Sequence, residues 1–412
     1  NGLEKRPKLR FPGFDEPWCS HKFSAVFSFL QNNTLSRAEL DATGDVLDIH
    51  YGDVLIKYGS ILDATDNTIP HTISGHESTN YDYLQDGDII VADTAEDKTV
   101  GKTIELLNIS GRKIEAGLHT VPCRPLFPFA SMYLGYYMNT PHYHKQLIPL
   151  MQGIKVLSIS KGNISKTEIS SPQTIAEQEK ISRFLYLLDQ RAAAQSKIID
   201  AIKKYKRGVF RSLLSPENCG LKEGQWQCDT IGNLGFFIKG APLSKADISE
   251  TGTPFILYGE LYTTYHEVIT SVVRKTEAVV EQVYHSMVGD VLIPTSGETS
   301  EEISTASCVM LPGVILAGDL NIFRSTKIDG RIMSYILNHI VNGNIARIAQ
   351  GKSVVHVQAS EISKIEISYP DPETQIRIIK VLEAISNRIE SCEKELNHLT
   401  KMRNSLLQQL FI

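Results

Sequence analysis

The sequence lacks the usual signs of a metal site, a disulfide framework or a membrane span. Its six cysteines include no CxxC pair, so their spacing predicts neither bound zinc nor disulfide bonds. No apolar run approaches the roughly 18 residues that cross a bilayer, and the opening NGLEKRPKLRFPGF has no apolar signal core. We therefore expect reduced thiols, no bound metal and a cytoplasmic location.

Catalytic motifs are also scarce. The chain has no Gly-rich phosphate loop of the GxxxxGK[ST] type and no Asn-Pro-Pro-aromatic motif of an amino-methyltransferase. What it does have is an ordinary globular composition, with 42% hydrophobic and 22% charged residues over 412 positions. That length predicts two or three domains rather than a single core.

An internal duplication is the strongest signal in the sequence. The phrase IHYGDVLI at 49–56 returns as ILYGELYT at 256–263. Other phrases match in the same order, namely LSRAEL with LSKADI, GDIIVADTAEDK with GDVLIPTSGETS, and QGIKVLSISKGNISKTEISSP with QGKSVVHVQASEISKIEISYP. Ordered matches of this kind predict a tandem repeat in which each copy takes about half of the chain.

The first part of each copy favours short strands and turns. Apolar runs such as DIIVA and DVLIP follow a Gly-Asp turn, and KTEISSP and KIEISYP alternate before a proline, as half-buried strands do. The stretches YLGYYMN and IMSYILNHIV favour helices instead. We predict an α+β protein with two similar mixed α/β domains, at 1–172 and 215–370.

The second part of each copy favours one long helix, at 173–214 and 371–412. Thr174 and Glu177 have the spacing of a capping box, and Asp371 can cap the other helix. Apolar or small residues then recur in steps of three and four, with one step of seven: Leu188, Ala192, Gln195, Ile199, Ile202 and Val209, then Ile385, Ile389, Cys392, Leu396, Leu399 and Leu406. Because a lone heptad seam would face water, we predict that the helices pair as an antiparallel coiled coil with a pseudo-two-fold relation.

Several phrases add a family resemblance to this layout. They are KLRFPGF before Trp18, GDIIVADTAEDKTVGK, AEQEKISRFLYLLDQR and the ending KMRNSLLQQLF. In their order and duplication they resemble the DNA-specificity subunit of type I restriction-modification systems, over nearly the whole chain. The resemblance implies that the two domains are target-recognition domains, each reading one half of a bipartite site in double-stranded DNA.

The resemblance also implies the partners. The long helices would separate the recognition domains and dock two methyltransferase subunits, to which restriction subunits can add. The chain itself would be non-catalytic and without a cofactor, and S-adenosylmethionine would bind the methyltransferase subunits.

The charge distribution predicts weak DNA binding by the domains alone. Residues 1–175 carry 16 basic and 20 acidic side chains, residues 215–372 carry 11 and 18, and residues 176–214 carry 9 and 4. Because phosphate contacts require Lys and Arg, we expect partner subunits to supply most of the affinity. The basic run KKYKRGVFR lies either on a solvated helix face or along the DNA, and its candidate contacts are Lys203, Lys204, Lys206, Arg207 and Arg211.

Base recognition requires polar side chains on loops, since base edges present directional donors and acceptors. The candidates in the first copy are Lys57, Tyr58, Thr94, Lys98, His119, Thr120, Lys155, Ser158 and Lys161. In the second copy they are Thr263, Thr264, Thr295, Ser296, Thr299, Lys352, Ser353 and His356. Ordinary surface polarity is the competing interpretation for each. Four glycines are interpreted as backbone turns rather than contacts, namely Gly52, Gly153, Gly259 and Gly351.

Two other functions fit the sequence less well. Asp88, Glu96 and Lys98 have the spacing of an acidic metal-nuclease site, but the second copy has Ser300 in place of the lysine. A duplicated coiled-coil scaffolding adaptor, which would bind proteins instead of DNA, agrees with the acidic domains.

Overall fold

The computed structural model describes residues 6–76, 83–216, 226–351 and 354–412. It divides the chain into two compact units, one of Asn1–Ser196 with Lys394–Ile412 and the other of Lys197–Glu393. Each unit therefore combines one copy of the globular part with one half of each long helix. Within the described ranges, no helix is long and apolar enough to cross a membrane.

The first unit is a mixed α/β globule. Its strands are β1 (Cys19–Lys22), β2 (Phe27–Phe29), β3 (Leu40–Asp41), β4 (Val46–Ile49), β5 (Ile61–Asp63), β6 (His71–Thr72), β7 (Ile89–Ala92), β8 (Thr94–Ala95), β9 (Thr103–Leu107), β10 (Lys113–Ala116), β11 (Thr120–Pro125), β12 (Leu157–Ser158) and β13 (Glu168–Ser171). Its helices are α1 (Phe23–Val26), α2 (Tyr51–Ile56), α3 (Tyr133–Tyr137), α4 (Pro141–Leu147), α5 (Lys161–Ile164) and the start of α6 (Ile175–Leu213). The main sheet has the order β2-β11-β7-β9-β5, beside a sheet β10-β4-β6-β3 and the ladders β1-β13 and β12-β8.

The second unit repeats this plan. Its strands are β14 (Trp226–Thr230), β15 (Gly235–Lys239), β16 (Thr253–Leu257), β17 (Val268–Ile269), β18 (Arg274–Thr276), β19 (Asp290–Pro294), β20 (Ser296–Gly297), β21 (Ser307–Val309), β22 (Ile315–Ala317), β23 (Leu320–Ser325), β24 (Val355–His356) and β25 (Glu366–Pro370). Its helices are α7 (Ile231–Leu234), α8 (Glu260–Thr263), α9 (Ser300–Ile303), α10 (Gly330–His339), α11 (Asn342–Ile348), α12 (Ala359–Ile362) and the start of α13 (Pro372–Gln409). The main sheet β15-β23-β19-β21-β17 and the ladders β14-β25 and β20-β24 match those of the first unit, and a smaller sheet β18-β16-β22 lies beside them.

A buried ion pair explains the Gly-Asp phrase in both copies. Asp88 is 1% exposed and accepts hydrogen bonds of 2.9 and 2.7 Å from Arg124, and Asp290 accepts bonds of the same lengths from Arg324. The preceding glycine has a positive φ in each case, 84° and 94°. The aspartate therefore joins two neighbouring strands of the main sheet, and its carboxylate is not presented as a metal ligand.

The long helices pair in opposite directions within each unit. In the first unit, Arg403 near the end of α13 binds Asp189 in the first half of α6, with Nε 2.5 Å from Oδ1. In the second unit, Phe210 of α6 shares a core with Ile378 and Leu382 from the start of α13. The predicted antiparallel pairing is thereby confirmed.

The helix starts follow the predicted capping residues. The Asp371 carboxylate accepts a hydrogen bond of 2.8 Å from the Thr374 backbone N–H, and Thr174 accepts one of 3.4 Å from that of Glu177. The Glu177 side chain does not complete the capping box. Its carboxylate accepts hydrogen bonds of 2.7 and 2.8 Å from Arg10 instead, which attaches the KLRFPGF phrase to the first turn of α6.

A cation fills the seven-residue gap in each heptad seam. Lys206 lies between Ile202 and Val209 with its side chain 13% exposed, and Arg403 lies at the equivalent place in α13. Lys206 Nζ is 2.9 Å from Glu267 Oε2, and Arg403 Nη2 is 3.3 Å from Ser60 Oγ. Each cation therefore ties its helix to the globule of its own unit.

The glycine predictions divide into two groups. Gly153 and Gly351 have φ values of 114° and 134°, which confirms them as turns. Gly259 lies in the turn that precedes α8, which also confirms it, whereas the prediction is wrong for Gly52, which lies in α2. The Tyr-Gly-acid phrase starts a short helix, and in the first copy His50 Nδ1 caps it by accepting a 3.2 Å hydrogen bond from the Gly52 N–H.

Candidate nucleic-acid interface

The duplicated phrases converge on one cleft in the second unit. This cleft has a volume of about 820 Å³. Its walls come from LSKADI through Lys245, from the Tyr258-Gly259-Glu260 phrase, from Glu298 and Glu302 at α9, and from Asp319. Segments that the repeat keeps in sequence are therefore neighbours in space, although they are far apart along the chain.

The equivalent segments also meet in the first unit. Arg37 of LSRAEL binds Asp53 of the Tyr-Gly-Asp phrase, with nitrogen–oxygen distances of 2.5 and 3.2 Å. The rings of Tyr51 and His119 are in edge contact, with centroids 5.2 Å apart, and His119 Nδ1 is 3.4 Å from Thr94 Oγ1. Arginine, imidazole, phenol and hydroxyl groups are thus gathered at one surface.

This surface of the first unit and the cleft of the second unit share a backbone frame but present different side chains. The Asp93 N–H donates to the His119 carbonyl at 3.0 Å, and the Thr295 N–H donates to the Asp319 carbonyl at 2.8 Å. The carbonyls of Asp93 and Thr295 accept in turn from the N–H groups at 159 and 357, at 2.8 and 3.0 Å. Asp93 and His119 of the first unit therefore correspond to Thr295 and Asp319 of the second.

Asp93 and Asp319 were not predicted as site residues. An acidic side chain repels the phosphates of DNA. Carboxylates can nevertheless accept a hydrogen bond from the amino group of cytosine. The available signal was the alignment of Asp93 with the candidate Thr295 in the matched Gly-Asp phrases.

The structure brings three first-copy candidates together. Ser158 pairs across the β12–β8 ladder with Thr94, which contacts His119. In the second copy, Ser296 pairs across the β20–β24 ladder with His356, next to Thr295. Lys352 and Ser353 lie outside the described residues.

Three candidates are buried and cannot present their side chains to a base. Tyr58 is 5% exposed, Thr120 is 1% exposed and Ser296 is 4% exposed. Thr120 Oγ1 donates to the Gly117 carbonyl at 2.6 Å, and Ser296 Oγ donates to Asp319 at 2.7 Å. Polarity in the sequence was here a sign of internal hydrogen bonding or of burial, not of surface contact.

The remaining candidates lie at the periphery and several already have local partners. Lys57 and Lys161 donate to the carbonyls of Thr68 and Leu30. Thr263 Oγ1 donates to the Gly259 carbonyl, and Thr299 caps α9. The exposed members of the set are Lys57, Lys98, Lys155, Thr263, Thr264 and Thr299.

The basic run of α6 is not uniformly available. Lys206 is committed to Glu267, and Lys203 Nζ is 2.7 Å from Glu393 in an exposed pair. Lys204, Arg207 and Arg211 are exposed. Only part of the predicted basic face can therefore lie along a phosphate backbone.

A buried carboxylate lies in β4, just before Tyr51. Asp48, in the strand that leads to Tyr51, is fully buried, and Asn33 Nδ2 donates to it at 2.7 Å and to Glu115 at 3.1 Å. Burial, opposed by the Asn33 hydrogen bond and reinforced by Glu115, raises the pKa of Asp48 to about 7. Burial and the nearby Arg37 lower the pKa of His50. Within the described ranges, no group of three or more His, Cys, Asp or Glu could hold a metal ion.

Comparison with known proteins identifies the family. Residues 223–401 match the family model described as the type I restriction modification DNA specificity domain. Residues 223–401 therefore carry a DNA-specificity domain of this family. The matched range covers most of the second copy and much of α13, and the first copy repeats its main sheet and terminal ladders.

Relatives of the DNA-specificity family agree over nearly the whole chain. A Methanocaldococcus jannaschii protein assigned as type I restriction enzyme MjaX specificity subunit is 22% identical over 343 residues, which cover 79% of this chain and 77% of the relative. The crystal structure of a type I restriction-modification S subunit from M. genitalium has a TM-score of 0.59 at 15% identity, covering 99% of both chains. A chain from a structural study of complex assembly and conformational transition of the type I R-M system has a TM-score of 0.60 at 14% identity, covering 98% of this chain and 99% of the other. The predicted family and fold class are confirmed.

Proposed function

We propose that this chain is the non-catalytic reader of a type I restriction-modification complex. Each unit reads one half of a bipartite site in double-stranded DNA, and the chain directs the chemistry of partner methyltransferase and restriction subunits. S-adenosylmethionine binds the methyltransferase subunits in this proposal, and no cofactor binds this chain.

The observation that carries the proposal is the backbone frame that both units share around Asp93 and Thr295. A protein that reads two unlike half-sites needs one frame built twice with different hydrogen-bonding groups, since each base pair displays its own pattern of donors and acceptors. The pairs Asp93 with His119 and Thr295 with Asp319 meet this requirement. A duplicated adaptor that binds two identical partners would not need different side chains at the two equivalent places.

A surface of α6 supports the docking of partner helices. Beside the seam that packs on α13, α6 carries a second heptad stripe of apolar and small residues in the second unit, in steps of three and four: Ile198, Ala201, Tyr205, Gly208 and Ser212. Ile198 is 45% exposed and Tyr205 is 65% exposed. A stripe with this spacing fits a further helix by knobs-into-holes packing, and a helix of a methyltransferase subunit is the proposed occupant.

The direct test is co-expression of this chain with the methyltransferase subunit encoded beside it. We expect methylated adenines in host DNA to fall in one two-part motif with a spacer of constant length. Methylation without any common motif would contradict the reading function and would favour the adaptor.

A further inference from the structure

A short hairpin of the first unit, next to Thr94, has an exposed apolar tip. Gln152 and Ser158 exchange backbone hydrogen bonds of 2.9 and 2.8 Å, and the five residues between them, 153–157, form the turn. Ile154 is 99% exposed and Val156 is 53% exposed. An isoleucine with almost its entire surface in water contributes no burial to folding, so packing within the fold does not explain it.

The hairpin is anchored rather than loose. Gly153 has a φ of 114°, and a Cβ at this position would lie 1.9 Å from the Val156 carbonyl oxygen. A side chain is thus excluded at the turn. At its base, Ser158 pairs with Thr94 of β8, and the N–H of Ile159 donates to the Asp93 carbonyl at 2.8 Å. The base of the hairpin is therefore fixed next to Asp93 and Thr94.

The second copy has an equivalent pair of backbone hydrogen bonds but a different sequence between them. Gln350 and His356 exchange equivalent backbone bonds, and a Cβ on Gly351 would lie 1.9 Å from the Val354 carbonyl oxygen. Val354 is 49% exposed, and in the alignment of the two sequence copies Lys352 corresponds to Ile154. The apolar tip is thus a feature of the first unit.

We propose that the 152–158 hairpin enters a groove of the DNA and that Ile154 makes an apolar contact with base edges in the half-site read by the first unit. Exposed aliphatic side chains contact thymine methyl groups or wedge between base steps in other DNA-binding proteins. The tip carries a single charge, on Lys155, and that charge is positive, as a neighbouring phosphate requires. This inference rests on the proposed DNA-reading function and adds a specificity-determining residue to it.

The test uses the complete complex with its methyltransferase subunits, in wild-type form and as Ile154→Ala. Val279→Ala is the matched control, because Val279 is 98% exposed and belongs to the second unit. Binding to duplexes that carry the mapped motif, or that motif with one half scrambled, is measured by fluorescence anisotropy at one salt concentration.

We expect Ile154→Ala to weaken binding to the intact motif at least about fivefold, the lower end of the loss caused by one mismatched base pair. Binding to a duplex in which the first unit's half-site is already scrambled should stay the same, and Val279→Ala should resemble wild type. Equal affinities of wild type and Ile154→Ala for the intact motif would overturn the inference. So would failure of the variant complex to assemble, since the tip would then contact a protein subunit.

The two proposals can fail separately. A wild-type complex that binds all sequences equally would contradict the reading function itself. A specific wild-type complex with an unaffected Ile154→Ala variant would contradict only the role of the hairpin.

Discussion

Lys206 occupies a heptad position that normally takes an apolar side chain. The charge is tolerated there because Lys206 forms an ion pair with the largely buried Glu267. Glu267 Oε2 is 2.9 Å from Lys206 Nζ, and Glu267 Oε1 is 2.9 Å from His339 Nε2. Burial alone would raise the pKa of Glu267, but the hydrogen bond with His339 and the charge of Lys206 hold it at about 2. The depressed pKa stabilises the folded state above the usual pKa of a glutamate, and this contribution is lost as the pH falls toward 2.

Removal of Lys206 should therefore be costly. We expect Lys206→Ala to lower the free energy of unfolding of the second unit by about 3–5 kcal/mol, since it leaves a largely buried carboxylate without its partner. Lys203 is on the same helix as Lys206. Lys203→Ala removes an exposed ion pair with Glu393 of α13 and should lower the free energy of unfolding by less than about 1 kcal/mol. Denaturant unfolding of the two variants at neutral pH measures both. Equal losses would show that the burial of the Lys206 pair does not matter.

Asp48 gives the first unit the opposite response to pH. Its pKa of about 7 lies above the ordinary value near 4, so its folded form holds a proton that the unfolded chain has released. The stability that this proton provides is complete below about pH 4 and is lost as the pH rises through 7. We expect the melting temperature to fall between pH 5.5 and pH 8, and to fall less in Asp48→Asn. Asp45→Asn, at an exposed position, should keep the wild-type response, and an unchanged response in Asp48→Asn would refute the assignment.

We predict that α6 carries the surface that binds the methyltransferase subunit. Ala201 lies in the exposed stripe with Tyr205, whereas Ala193 is exposed on the same helix outside that stripe. We expect Ala201→Glu to prevent or greatly weaken assembly with the methyltransferase subunit, because it places a charge in a helix–helix contact, and Ala193→Glu to leave assembly intact. Size-exclusion chromatography of the co-expressed subunits distinguishes them, and circular dichroism checks that both variants fold. Normal assembly of Ala201→Glu would show that this face of α6 does not bind the methyltransferase subunit.

The elements differ in how far the sequence predicts them. Some elements are predicted by local signals in the sequence. The Gly-Asp turns predict the strands that follow them, and Asp371 predicts the start of α13, and the structure has these elements at those places. The roles of Lys206 and Arg403 could not be predicted from the sequence. A cation between apolar heptad positions is normally exposed to solvent, and Glu267, the partner of Lys206, is 61 residues away along the chain. Tyr58 and Thr120 were misjudged for a related reason: the sequence shows their polarity but not the tertiary contacts that bury them.

At the scale of the whole molecule, the net charge of −5 shapes DNA binding. We expect the free chain to bind its DNA site weakly and the complex with methyltransferase subunits to bind it much more tightly, because the partners bring the cations that phosphate contacts require. Anisotropy titrations of both forms at the same salt concentration test this. Equal affinity of the free chain and the complex would show that the chain's own exposed cations are sufficient.

Independence of the two readers is the central claim, and one exchange tests it most directly. Residues 215–370 are replaced by the corresponding domain of a relative whose motif is known to differ in both halves, the hybrid is co-expressed with the methyltransferase subunit, and methylated adenines are mapped across the host genome. The account predicts a motif in which one half-site is new, while the other half-site and the spacer are those of the wild type. A motif changed in both halves, or in neither, would contradict it.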